Sequence, residues 1–328
     1  EDKLDWKEES KPRSAAVVPD AGAACGTGSA FLNEESLQYR FCHKESESLY
    51  NLCLSIPSAG FGNCAVKQKL IAGLACQCMA NGISYKGRNY EQMELQTLLA
   101  KLKCSVSVSV DSNALIVLAS SDIASYTTLH QLLWSYLHTA TFQEKNSANS
   151  IQRSQAYLNG LVVDSNVQSQ KLFASVLLTA ESPLFEYSSA AELAAVHDIH
   201  PSHLKQWYHE NVCRGAVSCV LQGPSVDEET QETIRKDLKT LFFCGSRWPK
   251  PPKQRQREAP IVFHDRLRQR HHTIQNKTST VFTMGRAVAI GYQSKEDLMA
   301  LTLAVRCLGH GFESPIMTRV RIEEGLTY

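Results

Sequence analysis

The sequence predicts an α+β fold: two related layered units, built mainly of antiparallel sheet covered by helices, with the second unit truncated. Three observations predict it. Strand-like segments cluster together and helix-like segments cluster together, instead of alternating singly as a parallel sheet requires. A basic, proline-containing stretch, CGSRWPKPPKQRQRE (Cys244–Glu258), divides the chain and has no apolar period. Beyond it, the order of strands, helix, glycine turn and helix partly repeats the earlier order, as an imperfect duplication would.

Residues 1–35 read as a disordered or extended tail of small and turn-forming residues. Regular structure is expected from about Ser36. LQYRFCHK and LYNLCLSIPSAG alternate apolar and polar side chains and read as strands. AVKQKLIAGLACQCMA (Ala65–Ala80) is an apolar helix stopped by Asn81-Gly82, and Tyr90–Leu102 is a second helix. In CSVSVSVDSNALIVLASSD, Val106, Val108 and Val110 alternate with serines up to the turn Asp111-Ser112-Asn113, which predicts a hairpin. Helices follow over Ile123–His138, Glu144–Leu161, Val167–Leu178 and within Ala190–Glu210. RGAVSCVLQG is a strand closed by Gly223-Pro224. VDEETQETIRKDLKTLFF is a helix whose acids precede its bases, matching the macrodipole.

These elements make a first unit over residues 36–243, followed by the linker at 244–258. The second unit, 259–328, is expected to hold strands at Ala259–Asp265 and Ser279–Tyr292, a helix at Lys295–Leu308, the turn LGHGFES and a helix at Pro315–Glu324. GLTY then reads as the start of a strand, so the sequence is expected to be a piece of a longer protein.

Composition narrows the function classes. The 328 residues carry 34 Lys+Arg against 33 Asp+Glu, a net charge of +1, which leaves no electrostatic footprint for nucleic acid or an anionic membrane. The apolar run Leu70–Ala80 is about half of a membrane span, so membrane insertion is not expected. Eleven cysteines, an odd number set mostly among apolar residues, read as buried reduced thiols and point to an intracellular, reducing compartment.

Few motifs suggest chemistry on their own. HDIHPSH (His197, His200, His203) would hold a metal only if the backbone brought three imidazoles to one point, and Pro201 interrupts a single helix there. Ser202 is placed to cap the following helix. His130 and His138, flanking Trp134, read as packing or surface residues. Cys76 and Cys78 lack a second pair at zinc-finger spacing. Gly309-His310-Gly311 lacks the context of a phosphate loop.

The segment LGHGFESPIMTRVRIEEGLTY changes this reading. Its glycine turn, the small residue Ser314, a helix carrying Arg321, and Tyr328 seven residues later resemble a signature of the pitrilysin/insulinase family of zinc metallopeptidases. The order of blocks from about residue 36 is similar to that family as well. The resemblance implies a clamshell of two related halves, one carrying zinc on an H-x-x-E-H helix. Here the motif positions fall on Gly73, Cys76 and Gln77, and Ala65–Ala80 contains no His, Asp or Glu. IQRSQAYLNG, where the third ligand would fall, has no acid.

The resemblance therefore implies a zinc-free half that binds no metal of its own. Its implied partners are a zinc-bearing homologous half or subunit and peptide substrates. It further implies that Arg321 anchors substrate backbone, that Tyr328 donates to the developing oxyanion, and that Gly309, Gly311 and Ser314 contact substrate. The zinc-free α subunits of the mitochondrial processing peptidase follow similar logic, which adds the mitochondrial matrix to the cytosol as an expected location. Their long glycine-rich loop is absent here, and only Leu308–Phe312 corresponds. Two other roles fit the same resemblance: an inactive scaffold like the core proteins of the cytochrome bc complex, and a peptide-binding pseudoenzyme.

Overall fold

The computed structural model describes residues 31–34, 37–43, 48–62, 64–182, 184–213, 217–224, 226–243, 262–264, 270–275, 280–285, 288 and 294–325. The chain divides into two compact units, one of Glu1–Asn159 with Ala190–Pro260, the other of Gly160–Ser189 with Ile261–Tyr328. The linear reading placed residues 160–189 in the first unit. Here they join the second, because the residues that follow helix Ser165–Leu177 form a bridge, Leu178 to Phe263, with the chain beyond the linker. The linker itself lies outside the described residues.

The first unit is organised by a six-stranded sheet of order β1-β2-β8-β3-β7-β6. Its strands are β1 (Phe31–Glu34), β2 (Leu37–His43), β3 (Leu49–Ile56), β6 (Cys104–Val110), β7 (Leu115–Asp122) and β8 (Val217–Gly223). β1 falls inside the stretch read as tail, and pairs antiparallel with β2. All neighbours are antiparallel except β2 and β8. The expected class, α+β with mainly antiparallel sheet and covering helices, is the one observed.

Period-2 alternation decides which face is covered. Tyr50, Leu52, Leu54 and Ile56 of β3 are fully buried beside Leu115, Val117 and Ala119 of β7 and Val217, Cys219 and Leu221 of β8. Register sets Ser107 of β6 opposite Leu118 of β7, which is itself opposite Cys53 of β3 and through it Val220 of β8. Leu118 and Val220 are exposed, so this row lies on the open face of the sheet.

The expected β6–β7 hairpin is present. The carboxylate of Asp111 accepts from the N–H groups of Asn113 and Ala114 at 2.7 and 2.9 Å, fixing the turn. The preceding loop runs beneath it, and Gly60 is needed there: a Cβ would meet the Asn113 carbonyl carbon at 2.3 Å.

Helices cover the buried face. α1 (Val66–Asn81) packs on β6 and buries Ala72, Leu74, Ala75, Cys76, Cys78 and Met79, while Gln68 and Gln77 stay exposed. A second hairpin follows, β4 (Gly82–Tyr85) and β5 (Arg88–Glu91), which the sequence reading passed over as a helix stop and start. Strands of four residues are too short for alternation to register. The signal was the turn Lys86-Gly87, both at positive φ (50° and 75°), the two-residue hairpin geometry. α2 (Gln92–Lys101) buries Leu95 and Leu99. α3 (Tyr126–His138) buries Leu129, Leu132, Leu133, Tyr136 and Leu137, and packs on β7, β4 and α8 (Glu228–Phe243). α4 (Glu144–Val162) leads out of the unit. α6 (Ser189–Val196) and α7 (Pro201–Trp207) lead back to β8.

In the second unit, α5 (Ser165–Leu177) is capped by Asp164, whose carboxylate accepts from Asn166 and Val167 N–H. Of the expected strand at Ala259–Asp265 only residues 262–264 are described, and Phe263 there forms a bridge with Leu178; residues 280–285 and 288 within Ser279–Tyr292 form no strand. Among the described residues no neighbouring strand is present to complete a ladder there. α9 (Lys295–Gly309) and the short α10 (Pro315–Met317) close the description. A π-turn over Thr318–Glu323 continues α10, so the expected single helix to Glu324 is broken into two hydrogen-bonding patterns. No helix among the described residues is long and apolar enough to cross a membrane.

Candidate functional site

The glycine turn and Arg321 converge in the second unit. α9 ends at Gly309, and the His310 N–H closes its last turn on Arg306 C=O at 2.8 Å. Gly311 then adopts φ +92°, where a side chain would be strained. Ser314, 5% exposed, caps the next helix: its hydroxyl donates to Gly311 C=O at 2.9 Å and accepts from Met317 N–H at 3.4 Å. Ser314 is thus a structural clamp that bends the chain from α9 into α10. A Cβ on Gly309 would only touch Ile316 at 3.8 Å, so space does not require glycine there.

Arg321 lies half-buried in the π-turn, with its guanidinium carbon 4.6 Å from the centroid of the exposed Phe312 ring. The ring holds the cation at the edge of the turn. Arg319, two residues earlier, is instead committed to Glu323 and Glu324 at 2.6 and 2.7 Å. The structure therefore brings Gly309, Gly311, Ser314 and Arg321 into one loop-and-helix feature. Tyr328 lies outside the described residues. The Arg321–Phe312 stack had no sequence signal, since nine residues across a turn follow neither helical nor strand spacing.

The zinc-motif positions carry no metal chemistry. Gly73, Cys76 and Gln77 stand on α1, where burial, with the Cys78 thiol beside it, pushes the Cys76 thiol up to about 12. Cys78 is raised by burial too, and donates to Ser147 Oγ at 3.8 Å. Both are buried thiols, held in the protonated form by their surroundings. The thiols of Cys53, Cys76, Cys78, Cys104, Cys219 and Cys307 form no disulfide.

The HDIHPSH segment is a helix entry. His200 is the N-cap residue of α7 with Pro201 in its first turn, and His203 Nδ1 accepts from His200 N–H at 3.2 Å. The expected capping role of Ser202 is therefore taken by the position two residues earlier. Among the described residues no cluster of His, Cys, Asp and Glu could hold a metal ion.

His130 is a different case. It is 4% exposed, its Nε2 lies 2.9 Å from the Tyr50 hydroxyl, and its Nδ1 has no partner. Burial lowers its pKa to about 4, so the imidazole is neutral at pH 7. His138 lies against Trp134, with ring centroids 5.2 Å apart and planes tilted by 39°, as a packing residue would.

Comparison with known proteins bears on the same segment. Residues 198–328 match the family model described as the peptidase M16 inactive domain, which spans the loop, Ser314 and Arg321. The fold is shared with a peptidase M16 inactive domain from Pseudomonas fluorescens, at 14% identity and TM-score 0.59, covering 92% of this chain and 69% of that one. It is shared with the periplasmic protease PqqL from Escherichia coli, at 14% identity and TM-score 0.51, covering 71% of this chain and 25% of that one. The ferredoxin protease FusC, solved in complex with Arabidopsis ferredoxin, has 10% identity and TM-score 0.53, covering 77% of this chain and 28% of that one. No curated protein matches the chain in sequence. The resemblance to the pitrilysin/insulinase peptidases, and to a zinc-free half among them, is borne out by the inactive-domain match.

Proposed function

We propose that this chain, with its peptidase M16 inactive-domain segment at residues 198–328, is the non-catalytic half of a clamshell metallopeptidase, closing over peptide substrate opposite a zinc-bearing homologous half. The observation that carries this reading is the inactive-domain match across the segment that builds the Gly311–Ser314 turn and holds Arg321. The first helix supports it: α1 carries Gly73, Cys76 and Gln77 at the positions that the family resemblance assigns to H-x-x-E-H, so in this reading zinc belongs to the partner half. A zinc held there would supply an activated water and polarise the scissile carbonyl.

In this reading Arg321 binds a substrate carbonyl. The Phe312 ring pre-organises its guanidinium, lowering the entropy lost on binding. Tyr328 donates its phenolic O–H to the oxyanion. Gly309 and Gly311 let peptide backbone approach the turn, and Ser314 fixes the turn's shape.

The test is reconstitution with a zinc-bearing M16 half, followed by peptide cleavage. Arg321→Ala and Tyr328→Phe are each expected to lower kcat/KM by about tenfold to a hundredfold while leaving co-elution of the halves intact. Unchanged cleavage in both variants, with assembly preserved, makes the chain a scaffold and ends this reading. Binding of extended peptides without turnover in the reconstituted pair ends the catalytic part of it.

A further inference from the structure

The first unit contains a cleft that the peptidase reading does not use. It has a volume of about 690 Å³ and lies between the β4–β5 turn and the outer side of α3, with α8 at one edge. That volume falls within the range of small-molecule sites. Its surface is mainly apolar, with Tyr85, His130 and Trp134 among the residues lining it, and Gln131 at its side.

Two opposite charges border this aromatic wall from different elements. Lys86 sits at the tip of the β4–β5 turn, with its ammonium held 5.2 Å from the Tyr85 ring centroid. Asp237 comes from α8. Among the described residues neither charge has an ion-pair partner. The scaffold is fixed: Thr139 Oγ1 donates to Ser84 C=O at 2.7 Å, and Tyr85 O–H reaches Gln131 Oε1 at 3.5 Å. Two unpaired charges of opposite sign around an apolar, aromatic cleft match one ligand chemistry: a molecule with an ammonium, a carboxylate and an apolar body between or beside them.

We propose that this cleft binds a small zwitterion with an apolar side chain, of the class of free amino acids and dipeptides. Lys86 takes the carboxylate, Asp237 takes the ammonium, and Trp134 stacks on the apolar body. An anion alone would be repelled by Asp237 and a cation alone by Lys86, so the site selects for both charges in one molecule.

The experiment is a titration of the 328-residue chain with the dipeptide Leu-Phe, followed by NMR through the side-chain resonances of Trp134 and His130. The expected result is saturable shifts at both rings, with affinity about tenfold weaker for the same dipeptide acetylated and amidated at its ends. Lys86→Met and Asp237→Asn should each weaken binding about fivefold. Trp134→Ala should remove it, with far-UV circular dichroism unchanged. Equal binding of free and blocked dipeptide, indifference to both charge substitutions, or no saturable shift overturns the proposal. The charge variants and the blocked dipeptide keep the test decisive even if Trp134→Ala misfolds.

Discussion

The two units treat their apolar side chains in opposite ways. In the first, β3 places Tyr50, Leu52, Leu54 and Ile56 on the covered face of the sheet, and every one of them is at most 1% exposed. In the second, α9 exposes Met299, Leu303, Val305 and Leu308 and buries none of its residues. Helical periodicity records which side a helix would bury, and only tertiary neighbours decide whether it does. Among the described residues, α9 has helix-forming sequence but no sheet to lie upon. Its turn and α10 are held by backbone and hydroxyl hydrogen bonds instead.

The strongest way to break that comparison is a cavity in each unit. Leu54→Ala empties a fully buried site on β3 and is expected to cost about 2–5 kcal/mol in urea unfolding. A cost under about 1 kcal/mol would mean that the first unit is as loosely packed as the second.

Protonation probes the same core from its polar side. His130 is held at a pKa of about 4 against an ordinary 6.5, so the fold favours the neutral ring. The unfolded chain binds the proton first as pH falls. The stability from this group is therefore complete above pH 6.5 and declines through the window down to 4. The loss over that window is about 3 kcal/mol for one group. Chemical unfolding at pH 7 and pH 4.5 measures it, and His130→Gln should flatten that part of the profile. A profile unchanged by the substitution assigns the acid sensitivity elsewhere.

The loop that carries Arg321 offers a smaller effect. Gly311→Ala forces a side chain into φ +92° and should cost about 1 kcal/mol, all of it backbone strain because the space around it is open. Gly309→Ala lies at the end of a helix and meets only Ile316, so it should be neutral or slightly stabilising. The pair separates the one glycine whose backbone requires it from the one that only sits nearby.

These contrasts follow what could be read from the residues. Strands with seven or eight alternating positions, such as β6 and β7, were legible, as were α1 through its Asn81-Gly82 stop and α8 through its charge gradient. β4 and β5 were not, since four residues carry too little period and the positive φ of Lys86 has no composition signal. The site divided in the same way. Arg321, Gly309, Gly311 and Ser314 are expected from family resemblance and lie in one turn, while Phe312 carries no such signal because its contact with Arg321 depends on how the turn folds. The Tyr50–His130 hydrogen bond, joining residues 80 apart in sequence, depends on sheet register against helix rotation, which a linear pattern does not encode.

The smallest expected effect is the sharpest test of the difference between units. Leu303 is 60% exposed on α9, so Leu303→Ala removes little surface from a protein interior. Alanine is also the better helix former. The two effects nearly cancel, and unfolding of the isolated chain should change by less than about 0.5 kcal/mol. A loss of 2 kcal/mol or more would show Leu303 packed in the isolated chain, and the contrast with Leu54 would fail. If the isolated chain is indifferent but the reconstituted pair loses stability, the side chain is covered on assembly. Measuring both states with one substitution therefore tells whether the apolar face of α9 belongs to this chain's own packing or to its association with another half.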